Sequence, residues 1–325
     1  MISDWRYRAD IDGLRALAVV MVVIFHFWPS ALPGGFVGVD VFFVVSGFLI
    51  TGLIVNQRER SRFSILEFYA RRIQRLFPAL ILLLTFLLAS GWFLLMPTEY
   101  ESLGRHTVAA ATFTSNLLSW KTATAYFTPD VRELPLLHLW SLGIEEQFYL
   151  LFPFLVLLFR SRRSLLIAMG GLALASFATA VIQFADQPAA SFYDPTCRAW
   201  ELLFGGILFL QPWRTSDKWS PLVGIALIII AGFTMNSSIP EKSWLLLLPV
   251  VGTALIVARD PRPDNAIDYF LTSPPVVYIG LISYPLYLWH WTLRSLLRII
   301  ETGHETSWQL ALWLAASLVL AVLTY

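Results

Sequence analysis

The sequence predicts an all-α, polytopic transmembrane helical bundle of about ten spanning helices, with a re-entrant segment expected at 103–137. Three observations carry this. The 325 residues are 57% hydrophobic and 14% charged, with a mean hydropathy of +0.66, whereas a soluble domain carries about 25% charged residues. Apolar runs of spanning length recur along the chain. The Lys and Arg residues between those runs gather mainly on one side, as in short cytoplasmic loops. The net charge of +1 and the lack of a basic stripe or nucleic-acid motif give no case for nucleic acid as a partner. One cysteine, Cys197, excludes an internal disulfide. No Cys/His zinc cluster occurs, and no metal is expected.

The first run, 14–28, follows Arg6 and Arg8 and looks superficially like a signal peptide. A second run starts at Phe36, so the first reads as a retained signal anchor. Further spans follow at roughly 36–55, 76–96, 138–159, 164–184, 199–211, 220–236, 243–258, 276–297 and 307–325. The stretch 103–121 is diluted by polar residues such as Arg105, His106 and Asn116. If it does not cross, fifteen Lys and Arg lie on the cytoplasmic side and five outside; if it crosses, the split is twelve to eight. The first arrangement fits better. It puts both ends in the cytoplasm and 103–137 outside, free to dip back where irregular backbone is buried in protein or lines a cavity. No internal repeat stands out.

The candidate functional residues are polar groups inside these apolar runs. Arg15 and His26 are eleven residues apart, three helical turns plus roughly 20°, so they share one face about 16 Å apart. Ionisable groups in a spanning helix usually face a protein interior or a cavity. The pair either lines a path through the membrane or is an interfacial Arg and a His that reach the headgroups. On the charge-derived orientation Arg15 lies toward the cytoplasm and His26 toward the outside. Asp40, near the outer end of its span, needs a partner, and His26 stands at the same depth. Ser46 and Gly47 read first as small packing residues.

Arg71, Arg72 and Arg75 directly precede Leu76-Phe77-Pro78 and so sit at the cytoplasmic mouth of a helix. Arg71 and Arg75, four apart, share a face, and guanidinium forks suit phosphates. In His138-Leu139-Trp140-Ser141-Leu142-Gly143-Ile144-Glu145-Glu146-Gln147-Phe148-Tyr149, a polar stripe runs through His138, Ser141 and Glu145. Glu145 and Glu146 point about 100° apart, so at most one is expected to face a given cavity. The stripe either does acid–base work or ties two helices together. Arg198 and Glu201 are three apart and either pair on their helix or line a cavity. In Gly280-Leu281-Ile282-Ser283-Tyr284-Pro285-Leu286-Tyr287-Leu288-Trp289-His290-Trp291, Pro285 predicts a kink. Tyr284, Tyr287, His290 and Trp291 there either stack on sugar or form an interfacial belt. His106 and His304 have no evident partners and read as non-catalytic.

These blocks, together with Asp12-Gly13-Leu14-Arg15-Ala16-Leu17-Ala18-Val19, the Arg-x10-His spacing, Gly35-Phe36-Val37-Gly38-Val39-Asp40-Val41-Phe42-Phe43-Val44-Val45-Ser46-Gly47 and Phe68-Tyr69-Ala70-Arg71-Arg72-Ile73-Gln74-Arg75, resemble the membrane-bound acyltransferase family 3. Its members include bacterial O-acetylases of lipopolysaccharide, exopolysaccharide and peptidoglycan. The resemblance covers roughly 10–325 in at least five ordered blocks; it departs at Pro285, where serine is common. It implies that 1–325 is a transmembrane acyltransferase domain of the bacterial cytoplasmic (inner) membrane, with its N-terminus inside. It implies no permanent cofactor, acetyl-CoA or another acyl-CoA as donor, and a carbohydrate or lipid-linked glycan as acceptor. It further implies that His26 serves acyl transfer with Arg15 essential beside it; the mechanism then expected has His26 as general base or transient acyl carrier, with Asp40 or Glu145 orienting it. Arg71, Arg72 and Arg75 would hold the donor, and His138, Ser141, Glu146, Arg198, Glu201, Tyr284, Tyr287 and His290 would line the substrate path. The chain ends in mid-helix at Tyr325 with no basic stop, so a truncated C-terminus and a following extracytoplasmic domain are expected. A transporter or flippase with a similar polar channel is the alternative to an enzyme.

Overall fold

The computed structural model describes residues 7–123, 134–211, 218–236, 243–262 and 264–325. Arg6, Arg132, Arg214 and Lys242 of the charge count, and 124–133 of the expected re-entrant segment, lie outside the described residues. The described chain is helical throughout, with fifteen α-helices and short 3-10 turns, and it is an all-α polytopic membrane protein. Five helical segments among the described residues are long and apolar enough to cross a membrane: Gly35–Glu59, Ile65–Leu94, Leu137–Leu158, Arg162–Asp186 and Ser307–Thr324. The remaining expected spans are shorter or carry charge.

Helix α1 (Ala9–Phe27) begins earlier than the apolar run because its first-turn acids have partners. Asp10 pairs with Arg8 at 2.6 Å, and Asp12 accepts from Tyr7 at 2.7 Å and from Arg15 at 3.0 Å. Helix α2 (Gly38–Glu59) follows, then α3 (Ile65–Leu94). Ser64 caps α3 by accepting from the Glu67 amide at 3.4 Å, so the basic residues 71, 72 and 75 lie within this helix rather than ahead of it. Pro78 is tolerated inside it.

Two short helices, α4 (Pro97–Ala111) and α5 (Ser115–Ala123), run into and through the first part of the expected re-entrant segment. Fifteen residues span only about 22 Å, short of a hydrocarbon core about 30 Å thick. Then come α6 (Trp140–Leu158), α7 (Arg162–Asp186), α8 (Pro188–Tyr193), α9 (Pro195–Leu210), α10 (Ser220–Thr234), α11 (Leu247–Val257) and α12 (Ala266–Leu271). The expected span at 276–297 divides into α13 (Pro274–Leu281) and α14 (Ser283–Ile300), with a break at Ile282; α15 (Ser307–Thr324) closes the described chain. Pro285 therefore does not kink a continuous helix. It sits in the first turn of α14, where a missing N–H costs little.

Helices α2 and α9 meet backbone to backbone. A Cβ on Gly47 would stand 1.8 Å from the Leu202 carbonyl oxygen, and one on Gly205 would stand 2.0 Å from that of Val44. Small residues allow this approach, and it places the other face of α2 against α6.

Candidate active site

Helices α1, α2, α3, α6 and α14 enclose a cavity of about 410 Å³. Its polar lining is Arg15, Arg72, Arg75, Glu145, Glu146, Ser46, Ser141, Ser283, Tyr284, Tyr287 and Tyr149, set among apolar residues such as Phe42 and Leu53. Eight residues singled out from the sequence thus meet in one space: Arg15, Arg72, Arg75, Ser141, Glu145, Glu146, Tyr284 and Tyr287.

Each charge in it has a defined neighbour, with one exception. Arg72 donates to both oxygens of Glu146, at 2.7 and 3.3 Å, and lies over the Tyr149 ring at 3.5 Å. Glu145 accepts from Ser46 and Tyr149. Arg15 is held by Asp12. Arg75 lines the cavity from its exposed side and makes no ion pair or hydrogen bond among the described residues, with the Glu146 carboxylate near enough to feel its charge. Arg71 does not join this group. It points outward, half-exposed, to Glu67 at 3.0 Å. The face used is that of Arg72 and Arg75, three apart, rather than that of Arg71 and Arg75. Both carboxylates of Glu145-Glu146 line the cavity, contrary to expectation. The cavity wraps around α6, so α2 takes Glu145 on one side and α3 takes Glu146 on the other.

His26 lies outside this lining, in a cluster at the junction of α1, α14 and the turn that precedes α6. Its Nδ1 is 2.9 Å from His290 Nε2, and its ring is edge-on to Trp291 at 4.5 Å. His290 is fully buried, and its Nδ1 donates to the Leu286 carbonyl at 3.1 Å. With both rings neutral, that bond sets the tautomers. His290 Nε2 carries no proton and accepts, so His26 Nδ1 carries one and donates, leaving His26 Nε2 with a free lone pair. His138 lies in the 3-10 turn Leu137–Leu139, 5.8 Å from His290 between ring centres, and both its nitrogens lack hydrogen-bond partners. Tyr287 connects the two regions. It lines the cavity, stands 2.6 Å from Ser141 Oγ, donates to the His138 carbonyl at 2.8 Å and packs 5.4 Å from the His290 ring. Tyr284 ties α14 to α3 through the Leu76 carbonyl at 2.9 Å.

Asp40 does not orient His26. It is buried against Arg198 at 3.0 Å, and Arg198 stands 3.2 Å from Glu201. Phe43, Trp140 and Phe192 surround that guanidinium. A carboxylate buried in an apolar bundle pairs with the nearest cation, and for Asp40 that cation is on α9. The Arg198–Glu201 pair on one helix is observed, and the trio lies outside the cavity lining. Glu145 does not orient His26 either; its carboxylate is engaged by Ser46 and Tyr149. The partner that does is His290, which the sequence reading placed with the substrate-binding residues. Sequence reasoning also missed Tyr149, which serves Glu145 and Arg72 together, and Arg294, whose Nε donates to the His26 carbonyl at 3.3 Å. The available signal for Arg294 was a cation one turn beyond His290 in an apolar helix. Among the described residues no cluster of three or more His, Cys, Asp or Glu is arranged to hold a metal ion.

Comparison with known proteins bears on this geometry. A family model described as an acyltransferase domain matches residues 8–325. The peptidoglycan O-acetyltransferase OatA of Listeria monocytogenes is 31% identical over 98% of this chain and 55% of its own length. The O-acetyltransferase OatA of Staphylococcus aureus is 33% identical over 89% of this chain and 51% of its own length. The chain therefore spans about half the length of the curated relatives it matches. No solved structure matches. A family model that covers the helices bearing both the cavity and the histidine cluster settles the kinship: the chain belongs to the membrane-bound acyltransferase family 3.

Proposed function

We propose that this chain is an integral-membrane O-acyltransferase that moves an acetyl or other acyl group from cytoplasmic acyl-CoA to a carbohydrate hydroxyl at the outer side. The observation that carries the reading is the His26–His290 pair, a geometry that leaves His26 Nε2 open to accept a proton, beside a cavity lined by the cations Arg15, Arg72 and Arg75. In this scheme Arg75, with Arg72 and Arg15, attracts the phosphates and the polar arm of the donor, as guanidinium groups suit phosphate. The thioester end extends past Tyr287 and Ser141 toward the histidines. His26 Nε2 then either takes the proton of the acceptor hydroxyl or attacks the acyl carbon itself; both roles need the same neighbours. The acyl–sulfur bond breaks, an acyl–oxygen bond forms, and the hydroxyl proton leaves with the thiol of the donor. His290 steadies the charge that develops on the His26 ring, as a positioned acceptor does for a catalytic imidazole.

The acceptor proposed is a cell-surface glycan of the peptidoglycan type, since the Listeria relative is named for that substrate. The proposed setting is the bacterial cytoplasmic membrane with the N-terminus inside, supported by the cation bias of the loops. An extracytoplasmic domain or partner that completes the transfer is part of the proposal, supported by the greater length of the relatives. The test uses purified protein with radiolabelled acetyl-CoA and peptidoglycan fragments. Labelled ester should form, and His26→Ala should abolish it. Ester formation unchanged in His26→Ala would remove the histidine from the mechanism, and substrate flux without any ester would favour a transporter.

A further inference from the structure

We propose that Arg294 is a positioning residue which holds His26 through its backbone, and that Glu305 sets Arg294 for that task; this rests on the acyl-transfer reading of His26. His26 is the penultimate residue of α1, so its carbonyl is among the last four of the helix, which have no partner within the helix. Arg294 Nε supplies the missing donor at 3.3 Å, and its Nη1 donates to Glu305 Oε1 at 2.6 Å. The two side chains retain only 13% and 8% of their exposure, so the contact is enclosed rather than a loose surface pair. A cation at this end also complements the negative pole of α1.

Register on α14 gives the contact its meaning. His290 and Arg294 are four residues apart and share a face. That face takes His26 at two points, with His290 on the ring nitrogen and Arg294 on the carbonyl. Trp291 closes on the ring edge between them. One helix thus fixes both the ring and the main chain of the same residue. Glu305 is itself anchored, because Thr306 next to it caps α15, with Gln309 accepting from both its amide and its hydroxyl. The line from the α15 cap through Glu305 and Arg294 to His26 brings the loop after α14 into the active centre. Only a planar fork donates in two fixed directions at once; an ammonium on a flexible stem does not hold both acceptors in one geometry.

The test compares the full chain with Arg294→Ala, Arg294→Lys and Glu305→Gln. It measures kcat and KM for acetyl-CoA, the thermal midpoint, and the rate at which diethylpyrocarbonate modifies His26, followed by mass spectrometry. Arg294→Ala should lower kcat about 10- to 100-fold with KM for acetyl-CoA unchanged, because the donor cavity is untouched. His26 modification should accelerate about threefold or more as its ring is released. Arg294→Lys should recover the thermal midpoint but not kcat, and Glu305→Gln should lose about threefold in kcat. Wild-type kcat and modification rate in Arg294→Ala would overturn the proposal. So would a loss that tracks the folded fraction and is fully restored by lysine. If the wild-type chain transfers no acyl group, the functional reading fails by itself, and the modification rates still decide whether Arg294 holds His26.

Discussion

Replacing His290 with phenylalanine isolates the contribution of the histidine pair. The ring volume stays nearly the same in a position that is fully buried, but the Nε2 acceptor 2.9 Å from His26 Nδ1 is removed. The Nδ1–H of His26 then has no partner, and its lone pair and proton exchange places freely. Leaving such a donor unsatisfied costs about 1–3 kcal/mol. If that penalty falls on the transition state, at about 1.4 kcal/mol per factor of ten, kcat falls about 5- to 140-fold. KM for the donor should hold, since His290 does not line the cavity proposed to take the donor. The assay is transfer of labelled acetyl groups to a glycan fragment by detergent-purified protein, with the thermal midpoint as a control for folding. His290→Gln, which retains an acceptor oxygen on a side chain of similar reach, should recover part of the loss. A phenylalanine variant that is folded and within about twofold of wild-type kcat would refute the tautomer argument. A change confined to KM would do the same.

Arg75→Ala should raise KM for acetyl-CoA about tenfold or more, the cost of one charge-assisted contact, with little change in thermal midpoint because Arg75 is exposed and makes no ion pair or hydrogen bond among the described residues. Arg71→Ala should change KM less than about twofold, because its exposed pair with Glu67 is worth only a few tenths of a kcal/mol. Arg72→Met should destabilise the chain by about 3–5 kcal/mol, since it leaves the Glu146 carboxylate enclosed without its cation. Chemical denaturation should show most of that loss regained in the Arg72→Met/Glu146→Gln double variant. Burial pushes the Glu305 carboxyl up, but the hydrogen bond and charge of Arg294, with a backbone bond and the charge of Arg298, outweigh it and hold it below the usual range. Its contribution to stability is then present above the unfolded value and lost as pH falls through the depressed one. The difference in thermal midpoint between wild type and Glu305→Gln should be full at neutral pH and shrink below about pH 4.

Hydrophobic runs alone locate the cores of α3, α6, α7 and α15, because an apolar stretch of spanning length has few other uses. They fail at the starts of α1 and α3, where polar residues enter the helix because Arg8, Arg15 and Tyr7 meet the acids of α1 and Ser64 caps α3. Within one helix, spacing was a sound guide. Arg15 faces the cavity, and Ser141 and Glu145 line it together. Between Arg71 and Arg72 spacing could not choose, since each makes a shared face with Arg75. The choice lies with Glu67 outside and Glu146 inside, and only the packed structure places those. The pairing of His26 with His290 joins residues 264 apart in sequence. One block supplied each histidine, but nothing local to either shows that they meet. Asp40 was matched by depth to the wrong partner for the same reason: depth along a helix says nothing of which neighbour lies beside it.

The backbone contact between α2 and α9 reaches further than packing. Ser46, whose hydroxyl donates to Glu145 in the cavity, is the residue before Gly47, which rests on α9. A spacer and a cavity group thus occupy consecutive positions on α2. Helix α9 contributes no lining residue, yet any side chain at position 205 drives α2 away from it and carries Ser46 along. In a survey of inactive variants, Gly205 will therefore score beside His26 and Arg75 although it touches no substrate. Tolerance maps of this chain mix two signals, helix spacing and chemistry, and a parallel measure of folded protein separates them.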